Sequence, residues 1–158
     1  MVISKVVAIG SDHAGVELKR EIMACLEKMG VKAVDLGPES AASVDYPDYA
    51  QKVSSLVSKG EADRGILICG TGIGMSIAAN KCPGIRAALC SEPLSARLSR
   101  QHNDANVLCM GSRMIGPTMA EEIVRVWMET PFDGGRHAAR LSKITFMEEV
   151  FLKNAGQK

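Results

Sequence analysis

Short, wholly apolar runs alternate along this chain with stretches in which apolar residues recur every three to four positions. Val6, Val7, Ala8 and Ile9 read as a buried strand, and Leu18, Ile22, Cys25, Leu26 and Met29 then mark one face of a helix that Gly30 stops. Residues 31–36 predict a second strand. A loop holding Tyr46 and Pro47 follows, then a helix with Ala50, Val53, Leu56 and Val57 on its apolar face and Gly60 beyond it. Ile66, Leu67, Ile68 and Cys69 predict the third strand, which breaks into the glycine-rich turn 70–74 and a small-residue helix through Ala79. Past Pro83 and Gly84, residues 85–90 give a fourth strand, and Ser91, Glu92 and Pro93 open another helix. Residues 107–110 are the fifth strand; Pro117 suits the first turn of the next helix, whose buried stripe is Ile123, Val126 and Trp127. A last helix is expected over 138–152.

Strict alternation of strand and helix, with strands apolar on both faces, predicts an α/β fold: a five-stranded parallel sheet, doubly wound and Rossmann-like, between two helical layers. Ligands of such sheets bind beyond the carboxyl ends of the strands. The places to look are therefore residues 11–15, 69–74, Ser91 and 111–113. No repeat, low-complexity tract or linker interrupts the pattern, so residues 1–158 are expected to form one unit.

Composition narrows the function classes. At 158 residues, 46% hydrophobic and 23% charged, the chain can bury a core without disulfides or metals, which excludes disorder, collagen and coiled coil. Nineteen basic against 18 acidic residues leave a net charge of +1, so no overall field draws nucleic acid or an anionic membrane, and any anion site must be local. The five cysteines contain no Cys-x-x-Cys pair, which argues against a disulfide framework or a zinc knuckle and fits a reducing cytoplasm. The first apolar run is too short for a secretion signal, and none approaches the roughly 18 residues of a membrane span.

The loudest motif is Gly70, Thr71, Gly72, Ile73 and Gly74. Glycines let backbone amides approach a ligand, and the helix that follows offers unpaired N–H groups to an anion. A dinucleotide fingerprint would need glycine where Met75 stands and usually follows the first strand. An ATP-binding loop over 10–15 fails because Val16 and Glu17 replace the lysine and hydroxyl residue it requires. A tight turn with no ligand remains the plain alternative. Cys69, just before the loop and next to a helix start, is the one cysteine with a reason to be reactive, although strand-end cysteines are more often core. His13, His102 and His137 sit in polar company without metal-ligand spacing. Arg113, Arg136 and Arg140 offer planar donors suited to phosphate, with surface charge as the bland reading.

Taken in order, these motifs resemble the type B ribose-5-phosphate isomerases, a family that includes galactose-6-phosphate and allose-6-phosphate isomerases. The resemblance rests on residues 9–13, Asp45 with Tyr46 and Pro47, residues 68–74, 77–81, 99–104 and 111–113, and Gly134, Gly135, Arg136 and His137. It spans all but the C-terminal end. It implies an aldose–ketose isomerase of pentose phosphate metabolism that passes through an enediolate without metal, nucleotide or other cofactor. It assigns Cys69 as the base that removes the proton beside the carbonyl; in another branch a glutamate does this from the position of Met75, which has no basic group. Gly70, Gly72, Ile73 and Gly74 would present amides to the oxyanion, with Thr71 adding a hydroxyl. His102 with Asp12 would open the sugar ring, while Asn103 and Tyr46 hold hydroxyls or order the loop. His13, Arg113, Arg136 and Arg140 would bind phosphate. The family also implies a homodimer or dimer of dimers in which His102, Asn103 and part of the clamp come from the neighbour. The apolar stripe Leu141, Ile144, Met147, Val150 and Phe151 could then lie on a partner, or equally on its own sheet. The rivals are a hexose 6-phosphate isomerase, a flavodoxin-like redox or nucleotide-binding module, and an inactive binder. The redox reading wants a resolving cysteine near Cys69, and the sequence offers none close by.

Overall fold

All five apolar runs form strands in the computed structural model, which describes residues 6–156. They are β1 (Val6–Ser11), β2 (Lys32–Asp35), β3 (Arg64–Cys69), β4 (Ala87–Leu89) and β5 (Val107–Gly111). Every pairing is parallel, in the order β2-β1-β3-β5-β4. The helices are α1 (Val16–Lys28), α2 (Tyr46–Ser58), α3 (Ile73–Ala79), α4 (Pro93–Asn103), α5 (Pro117–Glu129) and α6 (Arg136–Ala155).

Strand order decides which face each helix covers, because a parallel crossover is right-handed. The chain steps one way across the sheet from β1 to β2 and from β4 to β5, and the other way from β2 to β3 and from β3 to β4. Accordingly α1 and α4 share one face, joined by α5, and α2 and α3 share the other. The two-residue period of the strands serves both layers. Val7, Ile9, Ile66, Ile68, Leu108 and Met110 pack toward α1, α4 and α5. Ala8, Leu67, Cys69, Val107 and Cys109 pack toward α2 and α3.

Several boundaries differ from the sequence expectation; besides shifts of one or two residues at the ends of β1, β2 and β3, three stand out. Tyr46 and Pro47 open α2 rather than sit in a loop, with Pro47 in the first turn, where its missing N–H costs nothing. β4 pairs only over Ala87–Leu89 because it is an edge strand with one neighbour. The last helix starts two residues earlier and runs to Ala155. None of its described side chains is buried; Ile144, Phe146, Met147, Phe151 and Leu152 are each at least half exposed. It is moored to its own chain by Glu148, whose carboxylate accepts the Gly84 amide. No described helix is long and apolar enough to cross a membrane.

Candidate active site

At the carboxyl edge of the sheet, three strand exits are tied into one structure. Ser112, just past β5, donates its hydroxyl toward Ala14 O at 2.8 Å and Cys69 O at 3.2 Å, and its amide donates to Cys69 O at 2.8 Å. The Arg113 amide donates to Gly70 O at 3.0 Å. The loops after β1, β3 and β5 are thereby locked together around Cys69. This side chain ends β3, is 5% exposed, and accepts the Gly72 N–H at 3.1 Å on Sγ. A sulfur bearing negative charge accepts such a bond more strongly than a neutral thiol.

The glycines here are required by space. Gly72 has φ of +78°, and a Cβ on it would stand 2.8 Å from the Met110 carbonyl carbon and 2.5 Å from Leu89. A Cβ on Gly74 would fall 2.6 Å from the Tyr46 ring, which lies directly over it. Gly70 is the exception: the Arg113 side chain crosses it 3.4 Å from where a Cβ would be, an ordinary van der Waals distance. Thr71 Oγ1 accepts the Ile73 amide at 3.2 Å, so its own hydroxyl proton is left to donate outward. Asp12 is nearly buried; one of its carboxylate oxygens accepts the Ala14 and Gly15 amides. His13 Nδ1 accepts the Val44 amide at 3.3 Å, which ties the loop before α2 to the β1 exit. Met75 is fully buried in the apolar cluster that contains Cys69.

The remaining predicted residues are elsewhere. α4 begins at the carboxyl edge and ends at the amino edge, about 16 Å away over its eleven residues. His102 and Asn103 therefore sit at the opposite edge of the sheet from Cys69. Arg136 and Arg140, exposed on the first turns of α6, lie beside them. This group also has a built scaffold. The Asp133 amide donates to Gln101 O at 3.1 Å, and Arg100 donates to Asp104, Ala105 O and Thr130 O. Arg64 donates to Trp127 O and Met128 O at the end of α5; burial, with Arg100 nearby, lowers its guanidinium to about 10. The His102 and His137 rings stack, with centroids 4.3 Å apart and planes within 10°. Partial desolvation and the charges of His102, Arg136 and Arg140 hold the His137 imidazole below the usual histidine range, against a pull upward from Asp133.

The predicted residues thus form two groups in one chain: Asp12, His13, Tyr46, 69–74 and Arg113 at one edge, and His102, Asn103, Arg136 and Arg140 at the other. A clamp of Arg113 with Arg136 and Arg140 does not exist within one chain. Sequence reasoning missed Ser112 as the tie between strand exits and Asp133 as a neighbour of the two histidines. A serine in a strand-exit loop and an aspartate before two glycines carry no signal of their own.

A family model described as Ribose/Galactose Isomerase matches residues 7–144. Ribose-5-phosphate isomerase B of Escherichia coli (strain K12) is 54% identical over 145 residues, which is 92% of this chain and 97% of that protein. D-erythrulose-4-phosphate isomerase of Pectobacterium atrosepticum is 41% identical over 143 residues, 90% of this chain and 94% of that protein. The solved structure of Clostridium thermocellum ribose-5-phosphate isomerase B superposes with a TM-score of 0.91 at 53% identity, covering 92% of this chain and 99% of that one.

Proposed function

The chain belongs to the ribose/galactose isomerase family, and we propose that it interconverts ribose 5-phosphate and ribulose 5-phosphate through an enediolate, with Cys69 as the base. The observation that carries the reading is the seat of Cys69: a thiol at a strand end, in hydrogen bond with a glycine-loop amide and one residue before the glycine that the Arg113 side chain crosses. Relatives named for ribose 5-phosphate, at more than half identity, support the pentose substrate.

The chemistry needs only proton transfers, so no cofactor enters it. His102 and the second carboxylate oxygen of Asp12 open the furanose, one delivering a proton to the ring oxygen and the other taking the anomeric hydroxyl proton. The Cys69 thiolate then removes the C2 proton and the electron pair moves to the carbonyl oxygen; the proton on O2 passes to O1, and the same sulfur returns a proton at C1 as the C2 carbonyl forms. Of the 70–74 loop, the Gly72 and Ile73 amides are already held by Cys69 Sγ and Thr71 Oγ1, so the oxyanion falls to the other loop amides and the Thr71 hydroxyl, each well-aimed donor contributing about 3–4 kcal/mol. Tyr46 and Asn103 hold sugar hydroxyls. His13, Arg113, Arg136 and Arg140 bind the phosphate and anchor the far end of the substrate.

This division of labour requires two copies of the chain, since the two groups face opposite edges of one sheet. The enzyme is a homodimer, or a dimer of dimers, in which the His102 group of one protomer closes over the Cys69 group of its partner, and the exposed apolar side chains of α6 lie against the neighbour. Five unpaired cysteines suit a reducing, cytoplasmic setting.

The test is proton NMR of ribose 5-phosphate with the pure protein in deuterated water. The expected result is deuterium at C1 of the ribulose 5-phosphate that forms and, through the reverse reaction, at C2 of the remaining ribose 5-phosphate. Absence of exchange and isomerisation with every pentose and hexose phosphate would sink the enzyme reading. The tetrose phosphate relative shows that this fold serves other chain lengths, so kcat/KM on ribose 5-phosphate and allose 6-phosphate is the companion measurement. A tenfold preference for the hexose, about 1.4 kcal/mol in transition-state binding, would overturn the substrate.

A further inference from the structure

We propose that His102, Asp133 and His137 form a binding site for a divalent transition-metal ion such as zinc, and that the ion acts there as an inhibitor. Their donor atoms all lie within 4.8 Å of one another. Donors around a tetrahedral zinc stand about 3.4 Å apart and each imidazole ligates in its own plane, so binding must draw the donors together and turn the two rings out of their parallel stack. Two imidazoles and one carboxylate are a donor set that zinc and other first-row divalent ions accept, with water in the open position. The residues come from the end of α4, the loop after α5 and the start of α6, which is why no spacing rule finds them.

The backbone that brings them together is built independently of any ion. The Asp133 amide is bonded to Gln101 O, and Gly134 and Gly135, with φ of +66° and +54°, turn the chain so that the His137 amide reaches Gly134 O at 3.0 Å. All three side chains are at least partly exposed, so an ion can reach them from solvent. Arg136 and Arg140 stand nearby and oppose a cation. Binding must therefore come from ligation, and the same guanidiniums favour an anion on the open position. An ion held here takes a ring nitrogen of His102 out of proton exchange, and so opposes the ring opening proposed for that residue. The inhibitory part rests on the isomerase reading; the binding part does not.

The experiment titrates the full-length, metal-free protein with cobalt, followed by visible absorption, and with zinc in competition with a chromophoric chelator. One ion per chain is expected, with cobalt d–d bands and no sulfur-to-metal charge transfer. Asp133→Asn and His137→Ala should each weaken zinc by about tenfold or more. In a second arm, zinc should inhibit ribose 5-phosphate turnover reversibly with a chelator. Asp133→Asn should keep its metal-free turnover and lose zinc sensitivity by the same factor. A titration without d–d absorption, affinity unchanged in both variants, or a thiolate charge-transfer band placing the ion on cysteine would each overturn the site. Should the protein turn over no sugar phosphate, the isomerase reading fails while the cobalt spectrum still decides the metal.

Discussion

At the scale of single residues, the proposed chemistry turns on Cys69 and the glycines that seat it. Removing a general base typically costs between about a hundredfold and ten-thousandfold in rate. Cys69→Ala should therefore lose turnover on that scale while the melting temperature stays near that of the parent; full activity in that variant would remove Cys69 from the mechanism. Gly72→Ala separates geometry from chemistry, because it removes no proton-transfer group and acts on Cys69 only through the backbone amide that meets its Sγ. Its φ of +78° and the 2.8 Å approach to Met110 leave no place for a methyl group. We expect a loss of about 1–3 kcal/mol of stability in urea unfolding, with activity falling in step as the amide that meets Sγ is displaced. Cys69 and the loop were legible because strand end, glycines and helix start are all local in the sequence. Met75 was legible only by contrast, as a side chain with no basic group where another branch of the family has one.

Among the elements, the five strands and the two-faced burial of β1, β3 and β5 could be read from apolar runs, since each strand carries its period within six residues or fewer; the edge strands β2 and β4 hold no buried residue. Two things could not. The order β2-β1-β3-β5-β4 depends on pairing partners far apart in sequence, and the helical start at Tyr46 depends on a ring packed over Gly74. Ser112 belongs to the same class of hidden feature, because its hydroxyl spans the exits of β1 and β3. Ser112→Ala leaves the fold intact and unties those exits. The expected cost is about 1–2 kcal/mol in chemical denaturation, with a fall in kcat that exceeds any change in KM. Equal changes in both would mean that the serine only supports the loop.

For the whole molecule, the motifs are adjacent in the family pattern but not in the chain's own structure. α4 runs from one edge of the sheet to the other and carries His102 away from Cys69. No reading of spacing shows this, because the edge a residue reaches is set by the direction of its element and not by its distance along the sequence. The near-neutral total charge conceals the same division, with Arg113 at one edge and Arg136 and Arg140 at the other. The central claim is that a working site is made from both edges, one supplied by each of two protomers. Differently tagged Cys69→Ala and His102→Ala chains, co-expressed and purified as the mixed dimer, test it most directly. Each parent dimer should be inactive, whereas the mixed dimer holds one site with Cys69 and His102 both intact and should isomerise ribose 5-phosphate at about half the wild-type rate per dimer. A mixed dimer as inactive as its parents would contradict the shared site.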